Sequence, residues 1–272
     1  MLPTMKIGDL EITRLIVGSN PFTGKSHLTA DVDADMRTYF SEEQAFAMLR
    51  RCEEAGINAV QSRGSMPVMG LLGRYRAAGG KMHWLAQSGK NLTTFDEELD
   101  AMMEYAPAAV CIHGELADEL YLTGMLDKLG ELLDKIRRKQ VPAGICAHFP
   151  EVLAYAEEKG LRPDYYMASL YNLSQPDRSQ DVNPTGERFE DSDIPKMYRV
   201  IRQLSAPTFA LKILGAGRRC ADQKQVRSAF LEAFSSMKPG DGVLVGMFDK
   251  YIDQPRLNAA YTLEAIRQAE EK

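Results

Sequence analysis

The chain has 272 residues, 44% of them hydrophobic, with 33 Lys+Arg against 38 Asp+Glu and a net charge of -5. That length suits one (β/α)8 barrel of ~250 residues better than two domains, and it can bury a large core. Mild acidity argues against broad nucleic-acid binding, no apolar run approaches the ~20 residues of a membrane span, and MLPTMKIGDLEITR lacks a signal peptide's apolar core.

The opening MKIGDLEITRLI predicts a short β-hairpin turning at Gly8-Asp9. Eight strand candidates follow: Leu15–Ser19, Ala59–Arg63, Met82–Gln87, Ala108–His113, Ala143–His148, Tyr165–Tyr171, Thr208–Leu214 and Gly242–Met247. Each precedes a helix-like segment. The clearest are Glu42–Ala55, Ala117–Lys139, Pro150–Lys159, Val226–Met237 and Gln254–Glu271, with apolar residues at helical spacing and Ser, Asp or Pro start signals. Strand–helix alternation implies a parallel sheet, and eight units imply closure into one (β/α)8 TIM barrel domain over residues 1–272. A doubly wound open sheet is the runner-up, disfavoured because no GxGxxG follows the first strand. Two long loops lie on the active face. Thr23–Phe40 contains DVDADMR, which lacks the Gly and Glu of an EF-hand loop and reads as a solvated acidic loop. Ser174–Asp191 reads as a lid or as a surface excursion. Cys52, Cys111, Cys146 and Cys220 form no CxxC pair, as expected of reduced thiols in a cytoplasmic protein.

Barrel enzymes place their chemistry at the C-terminal strand ends. His113 and His148 end neighbouring strands there, on the same faces as Cys111 and Cys146. Three readings stay open for the pair. They are acid/base residues, or ligands of a divalent Zn, Mn or Fe completed by His27 and Glu115, or structural. No HxH or HExxH motif supports the metal. Lys212 breaks the apolar run TFALKILGAG. A lysine in a barrel strand is costly unless paired, turned outward under a helix, or reactive as a Schiff-base or charge-stabilising amine. Arg63 shares the charge-stabilising role, and Tyr171 and Gln61 would orient substrate hydroxyls. Gly215, Gly217 and Arg218 after the seventh strand, with Lys250 after the eighth, mark the usual phosphate position of barrels. Two tight turns explain them as well.

Several segments resemble the aldo-keto reductase family. PAAVCIHGE at Pro107–Glu115 is similar to its fourth strand, and GDLEITRLIVGSNPF to its opening hairpin and first strand. GINAVQSR, GICAHFPEVLAYAEE, LYNLSQPDR and VGMFDKYIDQPRLNAA resemble later strands in order, covering nearly the whole chain. The resemblance implies a barrel, a nicotinamide cofactor (NADP), and a His working with Asp, Tyr and Lys to protonate a carbonyl. His113 matches that His. Gln61 stands for the Asp, GSMPVMG contains no Tyr, and Ser88 stands near the Lys position. The cradle of the nicotinamide falls on Cys146, Ala147 and Ala168, and its stacking aromatic on Leu211.

The expected function is therefore non-redox chemistry in carbohydrate metabolism. A lyase, isomerase or epimerase would act on a small polar, sugar-like or oxo substrate, using His113 and His148 with or without a metal. The alternatives are an NADP-dependent reductase and a non-catalytic ligand-binding barrel. The partner expected is a small-molecule substrate, with no nucleic acid and no membrane.

Overall fold

The computed structural model describes residues 1–178 and 187–271. β1 (Thr4–Ile7) and β2 (Leu10–Thr13) pair antiparallel, turning at Gly8 with φ 57°. The barrel follows as β3 (Leu15–Gly18), β4 (Ala59–Arg63), β5 (His83–Gln87), β6 (Ala109–Ile112), β7 (Ala143–Ala147), β8 (Tyr165–Ser169), β9 (Thr208–Leu211) and β10 (Gly242–Gly246). All pairings are parallel, and β10 returns to β3 to close the sheet. The eight strands sit where the apolar runs placed them, Ala59–Arg63 unchanged and the other seven with ends trimmed by one to three residues.

The helices are α1 (Ala30–Tyr39), α2 (Glu42–Glu54), α3 (Met66–Ala77), α4 (Phe95–Met103), α5 (Gly114–Leu122), α6 (Lys128–Arg137), α7 (Pro150–Glu158), α8 (Ile194–Ile201), α9 (Gln223–Ser236) and α10 (Gln254–Glu270). Local chemistry sets many starts. The side chains of Ser41, Asp222 and Asp253 accept from backbone N–H groups in the first turns of α2, α9 and α10. Two expectations need correction. DVDADMR is helix α1, not a loop, because Thr29 caps it and Asp31 and Asp33 sit favourably in its first turn. The segment Ala117–Lys139 is two helices, broken where Gly124 takes a left-handed φ of 71°. Residues 179–186 of the expected lid lie outside the described residues.

Strand alternation sorts the core into two layers. Ile16, Ala59, Leu85, Cys111, Cys146, Met167 and Phe209 fill the barrel interior. Met5, Ile7 and Ile12 of the hairpin join that inner cluster and plug the end opposite the active face. Val17, Val60, Trp84, Ile145 and Ala168 face outward against the helices. No described helix is long and apolar enough to cross a membrane.

Candidate active site

A cavity of about 1000 Å³ opens at the C-terminal strand ends. Gln61, Arg63, Gln87, His113, Cys146, His148 and Lys212 line it, so β4 to β7 and β9 all contribute. The ordered centre of the site is built on His148. Its Nδ1 lies 2.7 Å from Asp118 Oδ2, and its backbone N donates to Asp118 Oδ1 at 3.0 Å. Asp118 also accepts from Phe149 N at 3.2 Å and from Ser174 Oγ at 2.6 Å. A buried carboxylate with these partners is a strong acceptor for an imidazole N–H. The His148 proton is then fixed on Nδ1, and Nε2 is left as an acceptor. That Nε2 is 3.4 Å from Lys212 Nζ, and Lys212 Nζ donates to Ser169 Oγ at 3.4 Å.

Lys212 reaches this place by a backbone irregularity. Leu211 packs against the interior cluster, so alternation alone would turn Lys212 outward. Its φ is instead 61°, a left-handed conformation costly for a residue with a Cβ. The strand ends there and the side chain swings into the mouth. Burial pulls the ammonium below its ordinary pKa; Glu187 and Glu115 offset part of this, and Lys25 adds to it. The residue is partly exposed as a whole, but its charged end is enclosed.

His113 differs from His148. It caps α5, its Nδ1 accepting from Glu115 N at 3.1 Å. Its proton therefore resides on Nε2, and burial pushes its pKa down to about 3, with Lys90 and Arg63 contributing. At neutral pH it is a neutral donor. Both histidines line one cavity, yet no hydrogen bond joins them. Gly114 separates their elements. A Cβ there would meet His148 Cε1 at 3.1 Å and Cys146 Sγ at 3.2 Å, so any side chain at this position would press the imidazole or the thiol aside by a few tenths of an ångström.

The four residues considered as metal ligands are each engaged elsewhere. His27 Nδ1 pairs with Glu187 Oε2 at 2.7 Å and its Nε2 lies near Asn20. Glu115 pairs with Lys90 at 2.6 Å, which outweighs burial and holds its carboxyl below the usual range. His113 and His148 have the partners given above. Among the described residues no group of three or more His, Cys, Asp or Glu is arranged around a common point. The expected quartet is thus not assembled.

Tyr171 is also displaced from its expected role. It is buried against Phe189, its OH donates to Asp191, burial pushes its pKa up to about 12, and it does not line the cavity. The phosphate position is not prepared either. The N–H groups of Gly215, Gly217 and Arg218 donate to Lys212, Leu214 and Gly215 carbonyls, making a tight left-handed turn. Arg218 stacks on Phe189 and donates to the His27 carbonyl, while Lys250 pairs with Asp35 at 2.5 Å. Gln61 remains in the cavity, buried and without a side-chain partner among the described residues.

A nicotinamide would need polar groups at the cradle positions. Ala147 and Ala168 face the helices, Cys146 is a buried thiol pushed up to about 12 by burial, and Leu211 offers no ring. These residues do not fit a nicotinamide held in that manner.

Asp118, Ser169 and Ser174 were not singled out from sequence. The signal for Asp118 was helical spacing, since Gly114, Asp118 and Tyr121 share one face of α5.

No protein-family model matches this chain, and no curated protein matches it. Solved structures do. An aldo-keto reductase from Bacillus halodurans (holo form) is similar at 13% identity, with a TM-score of 0.57 over 99% of this chain and 96% of that one. A truncated 3-deoxy-D-arabino-heptulosonate 7-phosphate synthase from Thermotoga maritima is 14% identical, with a TM-score of 0.57 over 99% and 93%. QR15, an aldolase, is 14% identical, with a TM-score of 0.50 over 82% and 90%. At these identities the likeness is one of fold: a (β/α)8 barrel shared with reductases and aldolases.

Proposed function

We propose that the protein is a non-redox enzyme acting on a small, sugar-like oxo compound, with Lys212 as nucleophile and His148 as its acid/base partner. One observation carries the reading: Lys212 Nζ lies 3.4 Å from His148 Nε2, whose other nitrogen is held by Asp118. A lysine attacks a carbonyl only as the free amine, and burial favours that form. Attack forms the N–C bond and moves the carbonyl electrons to oxygen. His148 Nε2 takes a proton from Nζ and passes it to the oxygen, giving a neutral carbinolamine; a second proton, drawn from solvent and delivered by the same imidazole, lets the hydroxyl leave as water. The resulting iminium withdraws electrons from the adjacent carbon, so a C–H or C–C bond there can break. Water then releases the product. Lyase, isomerase and epimerase outcomes share this start. One barrel of similar fold, QR15, is an aldolase.

Borohydride trapping tests the proposal. Incubation with aldoses, ketoses and oxo acids, then reduction and peptide mass spectrometry, should give an adduct on Lys212 that Lys212→Met lacks. No adduct across the panel, with micromolar NADPH binding and aldehyde reduction, would instead establish the reductase reading.

A further inference from the structure

We propose that the barrel mouth carries a carboxylate-binding site centred on Arg63, which makes the substrate an oxo acid. The oxo part rests on the function proposed above; the carboxylate part does not. Acidic and basic side chains facing the cavity mostly neutralise one another. Lys90 is paired with Glu115 at 2.6 Å, and Glu187 with His27 at 2.7 Å. Arg63 is different. Its nearest carboxylate, Glu98, lies at 3.9 Å, beyond hydrogen-bond reach, and Glu98 Oε1 already accepts from Thr94 Oγ1 at 2.7 Å. The Arg63 side chain is 44% exposed and makes no hydrogen bond among the described residues.

Its neighbours add neutral donors. Arg63 stands opposite Gln87 in the β4–β5 register, and Gln87 stands opposite Cys111 on β6, two residues before His113. All three, Arg63, Gln87 and His113, line the cavity. His113 Nδ1 is spent on Glu115 N, so its Nε2–H is a donor, with no acceptor among the described residues. Three adjacent strands thus offer donors to one anion. The planar Arg fork matches a carboxylate in bidentate fashion. Phosphate is the weaker fit, because the backbone N–H groups after β9 are used within their own turn and Lys250 is bound to Asp35. Lys212, just past the end of β9, is left to meet the carbonyl.

Calorimetric titration of the whole chain tests the site. The probes are oxamate, which has a carboxylate and an amide in place of a ketone, glycerol 3-phosphate, and glycerol. Oxamate should bind, glycerol should not, and Arg63→Gln should weaken oxamate at least ~10-fold, the loss of one charge-assisted contact. Arg63→Lys should fall between, since it keeps the charge and loses the fork. Unchanged melting midpoints in both variants would show that the loss is local. Absent oxamate binding in the wild type, or equal affinity in Arg63→Gln, overturns the proposal. Tighter, Arg63-dependent binding of glycerol 3-phosphate overturns it in favour of a phosphate site. Oxamate forms no Schiff base, so these outcomes are independent of trapping at Lys212.

Discussion

Asp118 holds His148 at two points, through the ring Nδ1 at 2.7 Å and through the backbone N at 3.0 Å. One buried carboxylate therefore sets where the β7 end lies, how its imidazole is turned and which nitrogen carries the proton. Asp118→Asn should leave a comparable shape with the wrong tautomer. Turnover should drop ~100-fold to 10⁴-fold, with a smaller change in KM. Asp118→Ala should in addition cost about 3–5 kcal/mol of stability in denaturant unfolding, because four donors lose their acceptor. Normal kcat in Asp118→Asn would remove His148 from the mechanism.

The left-handed backbone at Lys212 makes a separate prediction about stability. Lys212→Met keeps the Cβ and the strain, whereas Lys212→Gly relieves it. The glycine variant should therefore unfold at higher denaturant than the methionine variant, by about 1 kcal/mol. Both should be inactive. Such a result identifies backbone strain retained for placement of the amine. Equal stability of the two variants would refute stored strain.

His113 predicts an acid-sensitive fold. Its folded pKa is about 3 against an ordinary value of 6.5. As pH falls through 6.5 the unfolded chain takes up a proton that the folded chain refuses. Stability is thus lost from pH 6.5 down to about 3, by up to ~1.4 kcal/mol per pH unit for this group. His113→Gln keeps a side-chain acceptor for Glu115 N and does not titrate. Its melting midpoint should fall less steeply across that window than the wild type's. Parallel curves would show that burial of His113 is not linked to folding.

The eight strands were legible because each is a short apolar run, and apolar burial depends on residue type. The hairpin was legible because Gly8-Asp9 punctuates it. Helix α1 was not, because acidic residues suggested solvent while their real effect is to stabilise a helix start. Lys212 was recognised as anomalous, yet its direction was open, because a φ of 61° is fixed by the turn around it and not by residue type. Asp118 was missed for a related reason. Within GELADEL it resembles its exposed acidic neighbours Glu115 and Glu119, and only the packing of α5 on β7 buries it. Tyr171 and the Gly215–Arg218 turn were placed at the site by strand-end position, but their polar groups are consumed locally.

Gly114→Ala should act on catalysis more than on folding. The new methyl would press on His148 Cε1 and Nδ1, at 3.1 and 3.2 Å, and must move the ring or the start of α5. A misplacement of about 1 Å costs roughly 100-fold at a reacting group, so a shift of a few tenths of an ångström should cost several-fold to ~10-fold. That loss of turnover with a nearly unchanged melting midpoint is expected. Full activity would mean the imidazole has room to spare.

Among the described residues, the hairpin that plugs the barrel floor leaves the central cavity one doorway, at the C-terminal strand ends. Met5, Ile7 and Ile12 seal the far end, and Cys111, Cys146 and Met167 fill the middle, so nothing passes through. Whatever goes in must back out the way it came, and the water that the proposed Lys212 chemistry would release and consume would use the same passage. A long substrate therefore threads only its reactive end inside, with the remainder left outside to be read by the loops around the rim.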